Sequence, residues 1–253
     1  YNIPWFSSQV FRYTIDTQSR DYVSYENLRE NKAIELYNSV PKIMARQLLS
    51  RQFRINMTLI TEPTAFKKNL YAIYNVDPKI DIRYLLAYLN SKLFSYCEVN
   101  FNSSLQRDDF PAFSLTDFKE FPIPIVSPSE QYHFVNLVNS MLALNKNLQA
   151  KRNRFYHRLK DNFLNVKITG ALETFDLLDF KQFLLELNKQ KIKLSLVQQD
   201  EWEEYFGQYK LECNAISEQI SDTDKQIDRL VYQLYNLTED EIAQITAKGC
   251  TIA

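Results

Sequence analysis

Apolar residues in the first 80 positions occur in short runs separated by polar residues, a pattern that predicts strands. The runs are rich in Tyr, Phe, Ile and Val, which suit the half-buried surface of a sheet. The predicted strands are residues 9–15, 42–47, 56–61 and 70–75. Together they predict a sheet in the N-terminal part of the chain.

A helix is predicted directly after these strands. Asp81 suits its N-cap, and the apolar residues that follow recur at spacings of three, four and seven. The stripe consists of Ile82, Leu85, Leu86, Leu89 and Leu93, extended by Tyr96 and Cys97. We therefore expect one helix with an apolar face packed on the sheet.

The first domain is predicted to end near residue 125. A polar loop over 100–109 and a short helical turn over 114–119 lead to Pro122 and Pro124. Because proline lacks a backbone N–H and fixes φ, these two residues indicate an extended exit from the domain.

The second half of the chain predicts long helices. Ser127, Pro128 and Glu130 have the spacing of a capping box, which starts a helix over about 128–163. A second long helix, over about 200–235, has an apolar seam in alternating steps of four and three, which is typical of a coiled coil. The seam is Trp202, Phe206, Tyr209, Cys213, Ile216, Ile220, Thr223, Ile227, Leu230 and Leu234. Residues 238–241 start a terminal helix by the same capping logic.

The predicted fold class is α+β. A sheet-containing domain over 1–125 precedes a helical domain over 126–253, in which two long antiparallel helices are joined by a shorter helical insert. The opposite charges of the two long helices fit an antiparallel pairing.

Composition excludes several kinds of site. Glycine occurs only at 170, 207 and 249, which is too sparse for a phosphate-binding loop or a dinucleotide fingerprint. Cys97, Cys213 and Cys250, with His133 and His157, form neither a zinc spacing nor a disulfide framework. We see no membrane span or signal peptide and expect a cytoplasmic protein. The start at Tyr1, without an initiator Met, suggests a fragment of a longer chain.

The net charge is −1, but basic and acidic residues are distributed very unevenly along the chain. Residues 42–68 contain six Lys or Arg against Glu62 alone, and residues 146–160 contain six Lys or Arg and no acid. Residues 200–241, in contrast, contain twelve acids and three basic residues. For the second basic run, a partner and a merely solvated or helix-pairing face both remain open. For the first run we favour a polyanionic partner, because its charges interrupt strand-like sequence.

An ordered series of segments resembles the TaqI-like target-recognition domain of type IIG restriction-modification enzymes. The series is PKIMARQ at 41–47, YLLAYLNSK at 84–92, FPIP at 121–124 with Glu130 and Gln131, KLS at 193–195, and the long run at 226–242. The segment around Pro122, Pro124 and Gln131 is also similar to the specificity subunits of type I restriction systems.

The resemblance implies that this chain selects the DNA site and that catalysis lies elsewhere. In such enzymes an N-terminal methyltransferase domain, with or without a nuclease, binds S-adenosylmethionine and methylates adenine. The Asn-Pro-Pro-Tyr type of motif that holds a flipped adenine does not occur in this sequence. We therefore expect no catalytic residue, no metal site and no cofactor site here; the expected partners are double-stranded DNA and that methyltransferase domain.

Base readout requires side chains that pair with base edges. Arg can grip guanine, Gln can grip adenine, and Lys suits phosphates as a flexible point charge. The candidate base contacts are Arg46, Gln47, Arg51, Gln52, Arg54, Gln106 and Arg107, and the candidate phosphate contacts are Lys67 and Lys68. We expect the helices after Ser127 to support this DNA-contacting region. The alternatives are a type I specificity subunit, a coiled-coil scaffold without DNA readout, and an enzyme fragment that acts on nucleic acid.

Overall fold

The computed structural model describes residues 2–7, 9–16, 21–24, 26, 34–49, 54–101 and 121–248. The chain forms two compact units. The first contains Tyr1–Leu142 together with Thr223–Ala253, and the second contains Ala143–Asp222. The first unit thus takes residues from both ends of the chain, whereas the two domains predicted from the sequence, 1–125 and 126–253, divide it at one point; that division stays a prediction.

Short strands form the sheet structure of the first unit. They are β1 (Asn2–Phe6), β2 (Val10–Phe11), β3 (Thr14–Ile15), β4 (Asp21–Ser24), β5 (Lys42–Arg46), β6 (Met57–Ile60), β7 (Ala65–Phe66) and β8 (Leu70–Ile73). They build one sheet of order β4-β1-β7, a β2-β3 hairpin and one sheet of order β6-β5-β8. Three of the predicted strands are confirmed as β5, β6 and β8. The predicted strand over 9–15 is instead a hairpin, whose turn contains Tyr13 at a φ of 58°.

The strand β5 is central in its sheet and antiparallel to both neighbours. Ile43 lies opposite Leu59 of β6 and Ile73 of β8. Residues 42–45 are all buried, which requires cover on both faces of the strand, and α2 and β2 both contact β5 from outside its sheet. Met44 packs in a core that also contains Phe6 and other apolar side chains of β1, β7 and β8.

The helices are α1 (Ile34–Asn38), α2 (Ile82–Leu89), α3 (Lys92–Phe101), α4 (Pro128–Asn162), α5 (Phe180–Lys189), α6 (Leu196–Leu234) and α7 (Glu239–Lys248), with a 3₁₀ helix at Leu172–Leu177. Strands and long helices together confirm the α+β class. None of these described helices is both long and apolar enough to cross a membrane.

The apolar stripe after Asp81 spans two helices rather than the single helix predicted. Asp81 is the N-cap of α2 as expected, and its carboxylate accepts a hydrogen bond from the Arg83 amide. The helix stops at Asn90, whose side chain bonds to both the N–H (3.2 Å) and the C=O (3.0 Å) of Met57. The Ser91 hydroxyl then accepts a hydrogen bond from the Phe94 amide and starts α3. A tertiary contact with β6 thus interrupts a helix that the local pattern would continue.

Tyrosine hydroxyls hold the proline-rich exit against the helices of the first unit. Tyr84 donates to the Pro124 carbonyl at 2.7 Å, and the Tyr88 hydroxyl lies 3.2 Å from the Pro122 carbonyl oxygen. Tyr235 of α6 donates to the Pro122 carbonyl, at 2.8 Å, and lies 2.7 Å from the Tyr88 hydroxyl. Three of the segments that carry the family resemblance therefore meet in one hydrogen-bonded group.

The predicted helix starts are confirmed by their capping bonds. At α4 the Glu130 carboxylate accepts from the Ser127 amide at 2.9 Å, and the Ser127 hydroxyl accepts from the Glu130 amide at 3.3 Å. At α7 Glu241 and Thr238 make the same reciprocal pair, at 2.8 and 3.4 Å. Each box satisfies two otherwise unpaired helix N–H groups.

The second unit is built on antiparallel packing of α4 and α6. Phe163, directly after α4, contacts Trp202, and within α4 Lys151 forms an ion pair with Glu212. Residue numbers therefore rise along one helix as they fall along the other. Phe155 is fully buried at the centre of an aromatic core. Within this unit the second basic run is partly neutralised, because Arg152 also pairs with the buried Asp176.

Candidate nucleic-acid interface

Four of the predicted contact residues are neighbours along the backbone at one end of the β6-β5-β8 sheet, where β5 ends and β8 begins. Arg46 ends β5 opposite Leu70, and the Gln47 amide donates to the Asn69 carbonyl at 3.1 Å. Lys67 and Lys68 occupy the turn between β7 and β8 that contains Asn69. We call Arg46, Gln47, Lys67 and Lys68 the basic edge. Arg46 and Gln47 are half-buried, and the two lysines are exposed.

The turn of the basic edge is fixed by polar residues that the sequence did not single out. The Lys67 amide donates to the Phe6 carbonyl at 3.0 Å, and the Asn69 side chain donates to the Ser7 carbonyl at 2.5 Å. The Gln9 side chain in turn accepts from the Ser7 amide at 2.8 Å. These bonds tie the turn after β7 to the segment after β1. A single Asn between two strands is a common turn residue, so its spacing alone gives no hint of this contact.

Arg54 is engaged inside the first unit. Its guanidinium donates to the Asn90 carbonyl at 2.6 Å and lies 3.7 Å from the Asp224 carboxylate of α6. Arg12 of the hairpin donates to the same two groups, with a bond of 3.0 Å to Asn90. Only 13% of the Arg54 side chain is exposed. The position of Arg54 therefore suits a role in stabilising the fold better than a role in contacting a base.

Asp228 lies one helical turn beyond Asp224 and completes this group, which we call the Arg–Asp cluster (Arg12, Arg54, Asp224, Asp228 and the Asn90 carbonyl). Burial works against ionisation of Asp224, but Arg12 and Arg54 outweigh it and keep the pKa of Asp224 below its ordinary value. For Asp228 burial prevails over the neighbouring Arg54 and raises the pKa. Asp228 accepts a hydrogen bond from the Lys92 amide at 2.8 Å, at the start of α3.

Lys42, the first cation of the first basic run, also makes its contacts inside the first unit and not at its surface. Its side chain is fully buried, and its ammonium donates to the carbonyls of Leu36, Tyr37 and Thr64 at 3.1, 2.6 and 3.2 Å. Burial lowers the pKa of Lys42 to about 8. The positive surface of this run is therefore smaller than its sequence suggests.

The remaining predicted contacts, Arg51, Gln52, Gln106 and Arg107, lie outside the described residues, as does the predicted turn over 114–119. Among the residues that the structure describes, no three His, Cys, Asp or Glu side chains are grouped in a way that could hold a metal ion.

The part of the chain that contains these strands matches a known class of domain in sequence. Residues 7–123 match the family model of the TaqI-like C-terminal specificity domain, which confirms the resemblance predicted from the sequence. Residues 127–231 match the model of a domain of unknown function, DUF8810.

The chain is also similar to a protein of Methanocaldococcus jannaschii that is provisionally named a type II restriction enzyme and methyltransferase. The two are 32% identical over 148 residues. The aligned part covers 58% of this chain but 12% of that protein, so the chain corresponds to a small part of its relative.

Proposed function

We propose that this chain recognises a specific DNA sequence on behalf of a restriction-modification enzyme. The match of residues 7–123 to a specificity domain supports this role, and so does the name of the methanogen relative. In this proposal the chain itself is not catalytic. The chemistry belongs to a methyltransferase domain elsewhere in the full-length protein, which uses S-adenosylmethionine to methylate adenine, with or without an endonuclease.

The observation that carries the proposal is the basic edge. Arg46 and Gln47 are adjacent at the end of a central strand, where a guanidinium and a carboxamide can pair with the edges of guanine and adenine. Lys67 and Lys68 are exposed beside them and suit two backbone phosphates. In this proposal both tasks of a sequence-specific DNA binder, positioning and base readout, belong to residues whose backbones are neighbours at this end of the sheet.

The other predicted contact residues have two different roles in the proposal. Arg51, Gln52, Gln106 and Arg107 remain proposed base contacts. For Arg54 we propose a positioning role, because its guanidinium is held by Asn90 and Asp224.

The test is a binding assay on a library of duplexes at low salt, about 50 mM, where phosphate contacts are strongest. Arg46→Lys keeps the charge but loses the planar pair of donors, so we expect relaxed preference at one base position, by about 1–3 kcal/mol. Lys67→Gln with Lys68→Gln should weaken binding to all sequences alike and reduce the salt dependence. Lys79→Gln, at an exposed lysine of the same unit outside the basic edge, is the control for each of the two single substitutions, Lys67→Gln and Lys68→Gln.

Two results would contradict the proposal. Absence of DNA binding by the wild-type chain at low salt would favour the scaffold alternative. Methyl transfer or cleavage by the isolated chain would refute its lack of catalysis.

A further inference from the structure

Asn69 lies at the centre of the basic edge, although it has no charge itself. It is the third residue of a turn over 67–70, in which the Leu70 amide donates to the Lys67 carbonyl at 3.0 Å. Lys67 and Lys68, the two proposed phosphate contacts, come directly before Asn69, and β8 begins directly after it. The conformation of this turn therefore sets the positions from which both lysine side chains extend.

The main-chain carbonyl of Asn69 connects this turn to the proposed base contacts. It accepts a hydrogen bond from the Gln47 amide at 3.1 Å, and Arg46 lies directly opposite Leu70 in the β5–β8 ladder. Opposed residues of two paired strands direct their side chains to the same face of the sheet. Because Leu70 packs in the core with residues of β1 and β7, Arg46 extends from the face that is turned towards β1 and β7.

The side chain of Asn69 makes a separate connection, to the end of β1. Its amide nitrogen donates to the Ser7 carbonyl at 2.5 Å. The Lys67 amide donates to the Phe6 carbonyl at 3.0 Å and supports the same junction. One residue thus joins the end of β5, the turn that contains the lysines and the end of β1.

The carboxamide of Asn69 contributes little to the stability of the fold. Its oxygen is buried and has no hydrogen-bond partner among the described residues. Burial of an unpaired acceptor is unfavourable, by an amount comparable to what one hydrogen bond contributes. The bond to Ser7 and the unpaired oxygen therefore offset each other, and a variant at Asn69 can report on binding with little loss of stability.

We propose that Asn69 is a positioning residue, which sets the base contacts Arg46 and Gln47 relative to the phosphate contacts Lys67 and Lys68. The inference rests on the proposed DNA recognition and assigns a role in it to a residue that need not touch DNA. The side chain of Asn69 holds the turn against β1, and its carbonyl transmits that position to the end of β5.

The two kinds of contact differ in how much displacement they tolerate. Direct readout needs side chains held to within about 0.5 Å of the productive geometry, whereas a lysine on a flexible stem follows a phosphate over a larger range. Loss of the Asn69 side chain should therefore lower the discrimination between bases more than the affinity for DNA in general.

The experiment compares Asn69→Ala with the wild-type chain by fluorescence anisotropy at about 50 mM salt. The two probes are the duplex that the wild-type chain selects from a random library and a mixed-sequence duplex. We expect the ratio of the two affinities to fall roughly fivefold, which is part of what one bidentate base contact supplies. The affinity for the mixed-sequence duplex should change by less than about twofold, with an unchanged salt dependence, because both lysines remain.

A double-mutant cycle identifies the residues through which Asn69 acts. Asn69→Ala is combined with Arg46→Lys and, separately, with Gln47→Ala, and in at least one pair the combined loss of discrimination should be smaller than the product of the single losses. The matched control is Ser39→Ala, which removes a side-chain hydrogen bond of 2.8 Å to the Glu35 carbonyl, before β5 begins. This control should keep the discrimination of the wild-type chain.

The outcomes separate this inference from the DNA-recognition proposal. If the wild-type chain discriminates between duplexes and Asn69→Ala does so equally well, the positioning role is wrong and DNA recognition stands. The same conclusion follows if Asn69→Ala loses its cooperative urea transition, weakens binding to both duplexes alike, or gives multiplicative losses in both pairs, since Asn69 would then be a structural residue. If the wild-type chain binds no DNA, both proposals are wrong.

Discussion

At the scale of single residues, Asp224 is the counter-ion of two buried arginines. Arg12 and Arg54 both face its carboxylate, and 17% of the Asp224 side chain is exposed. Asp224→Asn would leave two largely buried guanidinium groups without the carboxylate that faces both of them, with Asp228 as the remaining acid of the cluster. We expect this variant to lose about 3–5 kcal/mol in free energy of unfolding at pH 7, measured by urea denaturation.

Asp228→Asn is the matched control for that prediction. An asparagine keeps an oxygen for the Lys92 amide and removes a charge whose burial is unfavourable, as the raised pKa of Asp228 indicates. We therefore expect a much smaller loss at pH 7 than for Asp224→Asn. Equal losses in the two variants would mean that Asp224 is not the principal counter-ion of the arginines.

The lowered pKa of Asp224 also determines how the stability difference between the wild-type chain and Asp224→Asn depends on pH. Because the pKa of Asp224 is lower in the folded chain than its ordinary value of 3.8, its contribution to stability is present above that value and is lost as the pH falls through the folded pKa. The gap in unfolding free energy between the wild-type chain and Asp224→Asn should thus narrow below about pH 4. A gap that stays constant down to the acid transition would contradict the assignment.

Lys42 offers a second residue-scale prediction. Its ammonium satisfies three carbonyl groups, two of them at the end of α1. Lys42→Met keeps most of the side-chain volume but removes the ammonium from all three carbonyls, of which that of Tyr37 keeps the Thr64 amide as a donor, so we expect a loss of about 2–4 kcal/mol in unfolding free energy. Lys68→Met, on the exposed turn of the basic edge, should change it by less than about 0.5 kcal/mol. A comparable effect of both changes in urea denaturation would show that the buried lysine is dispensable.

The sequence could indicate a basic cluster but not which cations reach solvent. Arg46 and Arg54 are eight positions apart in the same run, and nothing local distinguishes them. Arg54 is engaged because Asn90 and Asp224, distant along the chain, meet it in the fold. Contacts between residues so far apart leave no trace in spacing or composition.

At the scale of elements, the sequence predicted those helix boundaries that depend on residues within one helical turn of each other. The capping boxes of α4 and α7 were identified from four-residue patterns, because both partners lie within one turn. The apolar stripe after Asp81 predicted helix correctly, yet it missed the break at Asn90. That break depends on hydrogen bonds to Met57 of β6, and a stripe reports only the neighbours within one helix.

The tyrosines of α2 illustrate the same limit. Tyr84 and Tyr88 fit an apolar face by their spacing, and both rings are indeed fully buried. Their hydroxyls, however, bind the carbonyls of Pro124 and Pro122, and this is what joins the helix to the proline-rich exit. The segments that carry the family resemblance are thus connected by contacts that only the fold makes visible.

At the scale of the whole molecule, the first compact unit is discontinuous along the chain. The end of α6 contributes Asp224, Asp228 and Tyr235 to the unit that also contains the sheets. The specificity-domain match ends at residue 123, whereas the contacts that complete this unit come from residues after 222. Matching a family model therefore does not by itself define the piece of chain that folds.

This organisation predicts opposite results for two deletions. Removing residues 223–253 takes away Asp224, the tyrosine that bridges to Pro122, and the helix α7, so we expect the N-terminal unit to lose cooperative urea unfolding. Replacing residues 144–221 with a flexible glycine-serine linker removes most of the second unit, but it keeps both segments of the first. We expect that shortened chain to retain a cooperative transition and the near-ultraviolet circular dichroism of packed tyrosines. If the chain ending at residue 222 unfolds as cooperatively as the linked form, the N-terminal unit does not need the end of α6. In that case the boundary predicted near residue 125 would describe the folding unit better than the discontinuous one.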